Sequence, residues 1–537
     1  MSLPRLDAAT SGIIAVSQEA VNDALYYLFD KHEELRTIHS SSKYGELQAD
    51  MDTAEVSLLV KKAFDTVMFY CNFRSGTFRL KVGNRQPRNT SIDVTGWRFA
   101  FEVKYGKLVV TDTSEIDEVK SKIGQPGEYS IERMFLDFTT NKIIYFDKDH
   151  SDFKGHVWDE DDLDIFLGVM RRWGDGKEGT MKDPKLSSFG YCIETQAPET
   201  VNIPAPSFPP TALRHQTYPY IGPGKHEPDE GLVTGKANML LYVEMTQHKE
   251  FPTNVPVPYT GNFVEPGMKA TACVSSQVFW DSYLLRDPSS TLPCLLQDFN
   301  RQLFPWHNSL RAKSDQNDFY LHWNFGFGGS DATSQLARAN MDFGWQKLSP
   351  TSWGWDCAPE PESGEDSTWW PVYMGMKGTG TGFMKNRIYI EPANNKIILE
   401  GSSVLSLDGA YYFTKLHTGT LNKHLIIKWY TEIEMKSVHD GGIEMKMNPA
   451  TLEEIFKATY NDGTIPCGGE KEPDLPGVPE DWADAFNHIN FNSIIDSLTT
   501  ALRSTSRFVL SGGDVFFYKN PIFNNHGDLL VEATYKG

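Results

Sequence analysis

A long run of alternating apolar and polar side chains constrains the fold of this chain more than any other feature. Charged side chains such as Glu432 and Glu434 lie between apolar or β-branched ones at Leu425, Ile427, Trp429, Thr431, Ile433 and Met435. Because successive side chains of a strand point to opposite faces, this period of two predicts a long strand with one face buried. The fold must therefore supply a core for that face.

The same alternation recurs next to residues that favour turns. Asp440 and Gly441 separate the long run from a second one at 443–447, and Asn394 and Asn395 separate two apolar runs within 387–401. Residues 97–103 alternate before a turn that we expect at Tyr105 and Gly106. Short Asn- and Gly-containing turns between apolar runs are typical of β-hairpins. Antiparallel sheet is therefore predicted to dominate.

Helices are predicted to be fewer, and the clearest one begins after Ser17. Ser17 is a good N-cap, Glu19 lies in the first turn, and an apolar stripe follows, formed by Val21, Leu25, Leu28 and Phe29. We expect this helix to end near Leu35. Further helices are predicted at 449–460 and 491–502, and the acidic run 158–164 is interpreted as a helix start because carboxylates there complement the helix dipole. The predicted fold class is β-rich α+β, with amphipathic helices covering sheet faces.

The 537-residue length predicts more than one core. Eight prolines fall within residues 197–231, and proline is excluded from central strands and helix interiors because it lacks an amide donor. We therefore predict an N-terminal part at 1–196, a Pro-rich linker at 197–231, and a C-terminal part at 232–537 with Trp-rich and acidic loop insertions.

A weak internal similarity links the two parts. An apolar segment ending in Val16 and Ser17 and another ending in Val274 and Ser275 are each followed by a helix-like apolar pattern. A duplicated unit and a chance similarity both explain such a short match.

Composition excludes several classes of partner. The chain has 51 Lys and Arg against 71 Asp and Glu, a formal charge of −20, which repels nucleic acid and anionic bilayer surfaces. No window approaches the ~20 apolar residues of a membrane span. The six cysteines show no CxxC spacing, which favours reduced structural thiols. We expect a cytoplasmic protein, with leaderless export as the alternative.

Motifs for catalysis, metals and cofactors are missing from the sequence. There is no P-loop, no dinucleotide fingerprint, no HExxH or paired Cys and His ligands, and no GxSxG. The sequence therefore predicts no catalytic residue, no metal site and no cofactor.

Tryptophan is concentrated in one region, at Trp345, Trp353, Trp355, Trp369 and Trp370. Exposed tryptophans stack on sugar rings, whereas buried ones fill cores. Core packing is the favoured interpretation, and carbohydrate binding is the alternative.

Four segments in chain order suggest a family: VSQEAVNDALYYLF, TGKANMLLYVEMTQ, KATACVSSQVFWDSYLL and SGGDVFFYKNPIFNNHGDLLVEATYKG. Together they resemble the P47-like proteins, which include the P47 and OrfX proteins of clostridial neurotoxin clusters. That resemblance implies the tubular lipid-binding (TULIP) superfamily, in which a curved antiparallel sheet wraps a long helix and an apolar ligand lies between them. It implies two such units and supplies no catalytic residues.

The function predicted from these observations is non-enzymatic binding of a lipid or other elongated hydrophobic molecule in a groove between helix and sheet. The ligand contacts would be Val21, Leu25, Leu28 and Phe29, for which simple core packing is the competing explanation. A motif-less enzyme of microbial secondary metabolism acting on a hydrophobic substrate is a second hypothesis. A third is a protein-interaction component of a toxin-like assembly, with a protein as partner.

Overall fold

A computed structural model defines most of the chain. It describes residues 3–6, 10–61, 65–81, 90–123, 130–137, 146–174, 188–194, 210–246, 249–251, 256–285, 309–313, 318–322, 346–357, 362–368, 374–413, 417–437, 443–448, 451–461, 508–510 and 517–534.

The elements up to residue 245 are a strand and helix followed by a series of strands. They are β1 Gly12–Ser17, α1 Gln18–Lys31, a 3₁₀ turn Glu33–Arg36, β2 Thr37–Ser41, β3 Gly45–Met51, β4 Glu55–Leu58, β5 Thr66–Leu80, β6 Thr90–Asp93, β7 Arg98–Val109, α2 Thr113–Ile123, β8 Ser130–Asp137, α3 Glu160–Gly174, β9 Ser188–Glu194, β10 Ala212–Tyr218 and β11 Met239–Met245.

From residue 270 onward a strand and a helix again come first. The elements are β12 Ala270–Val274, a π-helix Gln277–Leu284, β13 Ser309–Lys313, β14 Asp318–His322, β15 Gln346–Ser349, β16 Ser352–Cys357, β17 Glu362–Thr368, β18 Met374–Glu391, a 3₁₀ turn Pro392–Asn394, β19 Lys396–Phe413, β20 His417–Ser437, β21 Ile443–Met447, β22 Thr451–Asn461, β23 Phe508–Leu510, β24 Phe517–Phe523 and β25 Leu529–Thr534.

Antiparallel sheet dominates the described chain, as the alternation predicts. A nine-stranded sheet has the order β2-β3-β5-β7-β8-β9-β23, with β4 and β6 also on β5. An eight-stranded sheet has the order β15-β16-β18-β19-β20-β21, with β17 on β18 and β22 on β20. A six-stranded sheet has the order β10-β11-β1-β12-β25-β24, and β13 pairs with β14. The protein is thus a β-rich α+β fold with long curved antiparallel sheets and amphipathic helices, which confirms the predicted fold class.

The long predicted strand is β20, and its predicted hairpin partner, β21, is confirmed. β20 pairs with β19 on one side and with β21 on the other, and Trp429 and Ile433 on its inner face are buried. The predicted turn at Asp440 and Gly441 lies outside the described residues. The β18–β19 turn is confirmed at Asn395, whose positive φ of 53° is a conformation that Asn tolerates well.

Two local predictions are wrong. Tyr105 and Gly106 do not form a turn, because β8 supplies a partner and β7 continues through them with Tyr105 opposite Leu136. Residues 451–461 are a strand rather than the predicted helix. Their β-branched and apolar side chains suit either structure, and β20 decides between them by offering a ladder of backbone partners along its length. The helix predicted at 491–502 lies outside the described residues.

The predicted helix after Ser17 is confirmed. The Ser17 hydroxyl accepts a hydrogen bond from the Ala20 N–H at 3.1 Å. The helix ends at Lys31, before the expected Leu35, which instead lies buried in the 3₁₀ turn. The acidic run is confirmed as a helix start, because α3 begins at Glu160.

The two segments of the weak internal similarity lie side by side, because β1 and β12 are neighbours in the six-stranded sheet. Ser275 Oγ accepts from the Val278 N–H at 3.2 Å, as Ser17 Oγ accepts from the N–H three residues ahead of it. Two serines that follow paired strands therefore cap the first turn of the helix that comes next.

Part of the predicted linker is ordered as a strand. Ala212–Tyr218 forms β10 at the edge of the six-stranded sheet, a place where neighbouring prolines are tolerated. The sheet combines β1 with strands that follow residue 232. The division into parts at 1–196 and 232–537 stays a prediction.

Candidate functional site

The four predicted ligand contacts share one buried face of α1. Val21, Leu25, Leu28 and Phe29 are each at most 4% exposed. They belong to a continuous apolar cluster that reaches from α1 through the nine-stranded sheet to β19 and β20 of the eight-stranded sheet. The structure therefore brings the predicted residues together, and their contact with a ligand stays a prediction.

Two amide side chains hold α1 against the edge of β4. Asn22 Nδ2 donates to the Val56 carbonyl at 3.0 Å, and its Oδ1 accepts from the Val56 N–H at 2.7 Å. Gln18 Oε1 accepts from the Leu58 N–H at 2.8 Å. Strand edges that face a helix must find other partners for their backbone groups, and these side chains supply them. We name this contact the α1–β4 seam.

Sequence reasoning missed both amides. Gln18 and Asn22 are one helical turn apart and border the apolar stripe, so they lie on the same side of α1. Polar residues at the border of a buried helix face are common, and nothing in the sequence connects them to residues 56–58.

A cleft of about 850 Å³ opens beside the α1–β4 seam. Its apolar floor is formed by Met51, Ala54, Phe73 and Trp97, which are at most 3% exposed. All four belong to the same apolar cluster as the helix face. The cleft therefore joins polar walls to the apolar interior that contains the predicted ligand contacts.

The walls of the cleft carry four carboxylates and four cations: Asp23, Asp52, Glu55, Asp152, Arg36, Arg74, Arg98 and Lys154. This balance differs from the formal charge of −20 of the whole chain. The lining of the cleft thus carries as many positive as negative side chains.

Most of these charges are already paired. Arg98 Nε donates to Asn72 Oδ1 at 2.8 Å and its Nη2 lies 3.8 Å from Glu55 Oε2. Lys154 Nζ donates to Asp152 at 2.6 Å. The hydrogen bond from Lys154 holds the pKa of Asp152 below its ordinary value, so that carboxyl group is charged at neutral pH.

The remaining pairs involve residues next to the cleft. Asp23 binds Lys269 Nζ at 2.7 Å. Partial burial opposes the charge on Lys269, but its hydrogen bonds to Asp23 and Glu19 outweigh burial and raise its pKa. Arg36 donates from Nε to the Phe29 carbonyl at 3.1 Å and lies 3.5 Å from Asp30.

Two further clefts are lined by other residues. One of about 320 Å³ lies at the start of α1 and is bordered by Glu19, Tyr220 and Lys236. Another of about 380 Å³ lies on the eight-stranded sheet and is bordered by Arg387 and Trp429. None of the predicted ligand contacts lines either cleft or the 850 Å³ cleft.

The described residues contain no group of three or more His, Cys, Asp or Glu side chains that could hold a metal ion. No helix in this part of the chain is long and apolar enough to cross a membrane. Cys71 is buried, and burial raises the pKa of its thiol, so it is held in the neutral form.

Two tryptophans of the Trp-rich region lie within the described residues: Trp353 is core, and Trp355 is partly buried against the same apolar cluster. Trp353 is fully buried and stacks on Trp280 with ring centroids 4.4 Å apart, and its Nε1 donates to Asp281 at 3.1 Å. Its ring is covered by protein and offers no face to a sugar. Trp345, Trp369 and Trp370 lie outside the described residues.

Solved structures to which the chain shows similarity include two P47 proteins of Clostridium botulinum and one lipopolysaccharide binding protein. P47 from Clostridium botulinum A2 is 12% identical, with 98% of this chain and 97% of that chain covered at a TM-score of 0.43. P47 of Clostridium botulinum E1 is 12% identical, with 98% and 99% covered at 0.44. The lipopolysaccharide binding protein is 9% identical, with 98% and 99% covered at 0.25.

No protein family model matches the chain, and no curated protein matches its sequence.

Proposed function

We propose that this protein binds a lipid or other elongated hydrophobic molecule without catalysis, with the apolar part of the ligand between α1 and the nine-stranded sheet. One observation carries the proposal: the floor of the 850 Å³ cleft and the apolar face of α1 belong to the same cluster of buried side chains. An amphiphile with its polar end in the cleft would insert its apolar part into the cluster that contains Val21, Leu25, Leu28 and Phe29.

The ligand must open a contact that is closed in this structure, since those four side chains are buried against protein. Each methylene group moved from water into an apolar interior contributes about 0.8 kcal/mol, so a chain of roughly ten methylenes supplies about 8 kcal/mol. Separating the apolar face of α1 from the sheet costs a similar free energy for each unit of apolar surface exposed. Exchange of ligand for side-chain packing is therefore energetically feasible.

The α1–β4 seam is the place where such an opening begins. The polar contacts of the seam are the hydrogen bonds that Asn22 and Gln18 make to β4. Breaking them does not affect the covalent connection between β1 and the start of α1. Because α1 is joined to β1 at its start and to the 3₁₀ turn Glu33–Arg36 at its end, the opening moves the middle of the helix away from β4 and leaves the sheet intact.

The direct test is to look for the ligand. We expect protein purified from cells to release a hydrophobic molecule on organic extraction, detected by mass spectrometry at close to one per chain. We also expect delipidated protein to take up a fluorescent fatty acid or phospholipid. If the extract contains no stoichiometric ligand and neither probe is taken up, the proposal is wrong.

A further inference from the structure

A β-bulge directs one arginine into the 850 Å³ cleft. Asp50 and Met51 are consecutive on β3, but they pair with Ser75 and Phe73 on β5, so Arg74 is an extra residue on β5 without a partner on β3. Bulges redirect side chains and are frequent next to functional sites. Arg74 is exposed and lines the cleft.

One basic and one acidic side chain that line the cleft do not take part in the ion pairs around it. Three of its cations and three of its carboxylates form the ion pairs described above. Arg74 and Asp52 remain, and neither has an ion-pair partner in the part of the chain that the structure describes.

The backbone positions of Asp52 and Arg74 are close, and no ion pair joins their side chains. The Asp52 N–H donates to the Asn72 carbonyl at 2.9 Å, so Asp52 lies opposite a residue two positions before Arg74 on β5. Two residues along a strand span about 7 Å. The side chains thus present a positive and a negative charge at neighbouring points of one cleft wall.

An aromatic residue of α1 also lines the cleft. Tyr26 is 56% exposed and is one of the residues that border it. A tyrosine face attracts a cation by its quadrupole, and a carboxylate attracts the same cation by charge. A guanidinium binds phosphate or carboxylate oxygens through paired hydrogen bonds. The cleft therefore presents separate recognition elements for an anionic group and for an ammonium group.

We propose that the cleft binds a zwitterionic polar group, with its phosphate or carboxylate on Arg74 and its ammonium on Asp52 and the Tyr26 ring. The inference rests on the proposed function and adds to it the chemistry of the ligand's polar end. A purely anionic ligand would satisfy Arg74 and place its charge next to the Asp52 carboxylate. A zwitterionic group pairs with both Arg74 and Asp52.

Three probes separate the polar group from the apolar chain. Dihexanoyl phosphatidylethanolamine is zwitterionic with short chains, dihexanoyl phosphatidylglycerol has the same chains without the ammonium, and glycerophosphoethanolamine has the polar group without chains. Binding of each is measured by calorimetry to the full-length protein and to Arg74→Gln and Asp52→Asn variants. Both positions are exposed, so circular dichroism and the urea midpoint are expected to be unchanged.

Arg79→Gln is the matched control, because Arg79 is an exposed arginine on the same strand that does not line the cleft. We expect Arg74→Gln to weaken binding of the phosphatidylethanolamine probe at least tenfold. Asp52→Asn should weaken that probe and leave the phosphatidylglycerol probe unchanged or tighter. Arg79→Gln should change neither.

The outcomes distinguish this inference from the proposed function. If the chain-bearing probes bind and neither Arg74→Gln nor Asp52→Asn changes their affinity, the inference is wrong and the proposed function stands. If glycerophosphoethanolamine binds as tightly as the chain-bearing probe, with the same dependence on Arg74, the polar site stands and the apolar site does not. If none of the three probes binds, the inference is wrong, and the proposed function is decided separately by organic extraction and fatty-acid uptake.

Discussion

Ile14 and Ala272 lie opposite each other in the β1–β12 pair, and the register is symmetric about them. Gly12 pairs with Val274, and Val16 pairs with Ala270. In the weak internal similarity Val16 corresponds to Val274, and Gly12 to Ala270. Each of the two pairs is therefore the equivalent of the other. A local twofold axis between Ile14 and Ala272 relates the two strands.

The rest of the six-stranded sheet obeys the same relationship. The hairpin β10–β11 flanks β1, and the hairpin β24–β25 flanks β12. In each case a short strand leads into a helix, other sheets follow, and a hairpin returns to pair with the first strand of the series. Duplication explains this arrangement better than chance similarity of two short segments.

Equivalent positions should respond equally to the same substitution. Ser17→Ala and Ser275→Ala each remove a hydroxyl that accepts from the N–H three residues ahead, and loss of such a cap costs about 1 kcal/mol. We expect similar decreases in the free energy of unfolding, measured in urea. Ser91→Ala, at an exposed position on β6, is the control and should change little. A cost at Ser17 alone would contradict the equivalence.

Substitution at the centre of the α1 face distinguishes packed core from ligand wall. Leu25 is 4% exposed within the large apolar cluster, so Leu25→Ala should cost about 2 to 5 kcal/mol in ligand-free protein because it leaves a cavity. Tyr27→Ala on the exposed side of the same helix is the control. A loss well below 2 kcal/mol, together with altered uptake of a fluorescent fatty acid, would show that Leu25 faces loosely filled space.

Substitution of Asn22 tests whether opening of the α1–β4 seam limits ligand entry. Asn22→Ala removes the partner of both the N–H and the carbonyl of Val56, and an unsatisfied buried polar group costs about 1 to 3 kcal/mol. If α1 opens to admit ligand, the variant should also take up a fluorescent fatty acid faster. Stopped-flow fluorescence measures that rate. Asn394→Ala removes a surface amide bonded only to Glu391 and should alter neither quantity; unchanged uptake by Asn22→Ala would show that the seam does not limit entry.

Elements of the fold could be predicted from the sequence where the pattern that specifies them lies within one segment. The strand β20 and the helix after Ser17 follow from periodicity and capping within one segment, and both are confirmed. The apolar spacing within 449–460 predicts a helix but also fits a strand, and only pairing with the distant β20 selects the strand.

The 850 Å³ cleft could not be predicted, because its walls come from separate segments between residues 22 and 154. Arg74 enters the cleft through a bulge, and the sequence around it reads as an ordinary strand. Its significance depends on which neighbouring charges are already paired, and that is a property of the folded chain.

The last prediction concerns a buried ion pair between α2 and β8. Arg133 donates from Nε and Nη2 to Glu115 Oε1 at 3.0 and 2.6 Å, Tyr191 donates to the same oxygen at 2.8 Å, and both charged residues are less than 10% exposed. Glu115→Gln leaves the guanidinium buried without a counter-charge, so it should cost about 3 to 5 kcal/mol in the free energy of unfolding.

Replacing both partners should be far less harmful than replacing one. The double variant Glu115→Leu with Arg133→Met removes both charges and keeps apolar volume, so it should recover most of the stability lost by Glu115→Gln, because neither charge then has to be desolvated. Urea unfolding of the two variants and the parent protein measures this difference. If the double variant is as unstable as Glu115→Gln, the contribution of this pair lies in its specific hydrogen-bond geometry, including that to Tyr191, and compensation of buried charge does not explain it.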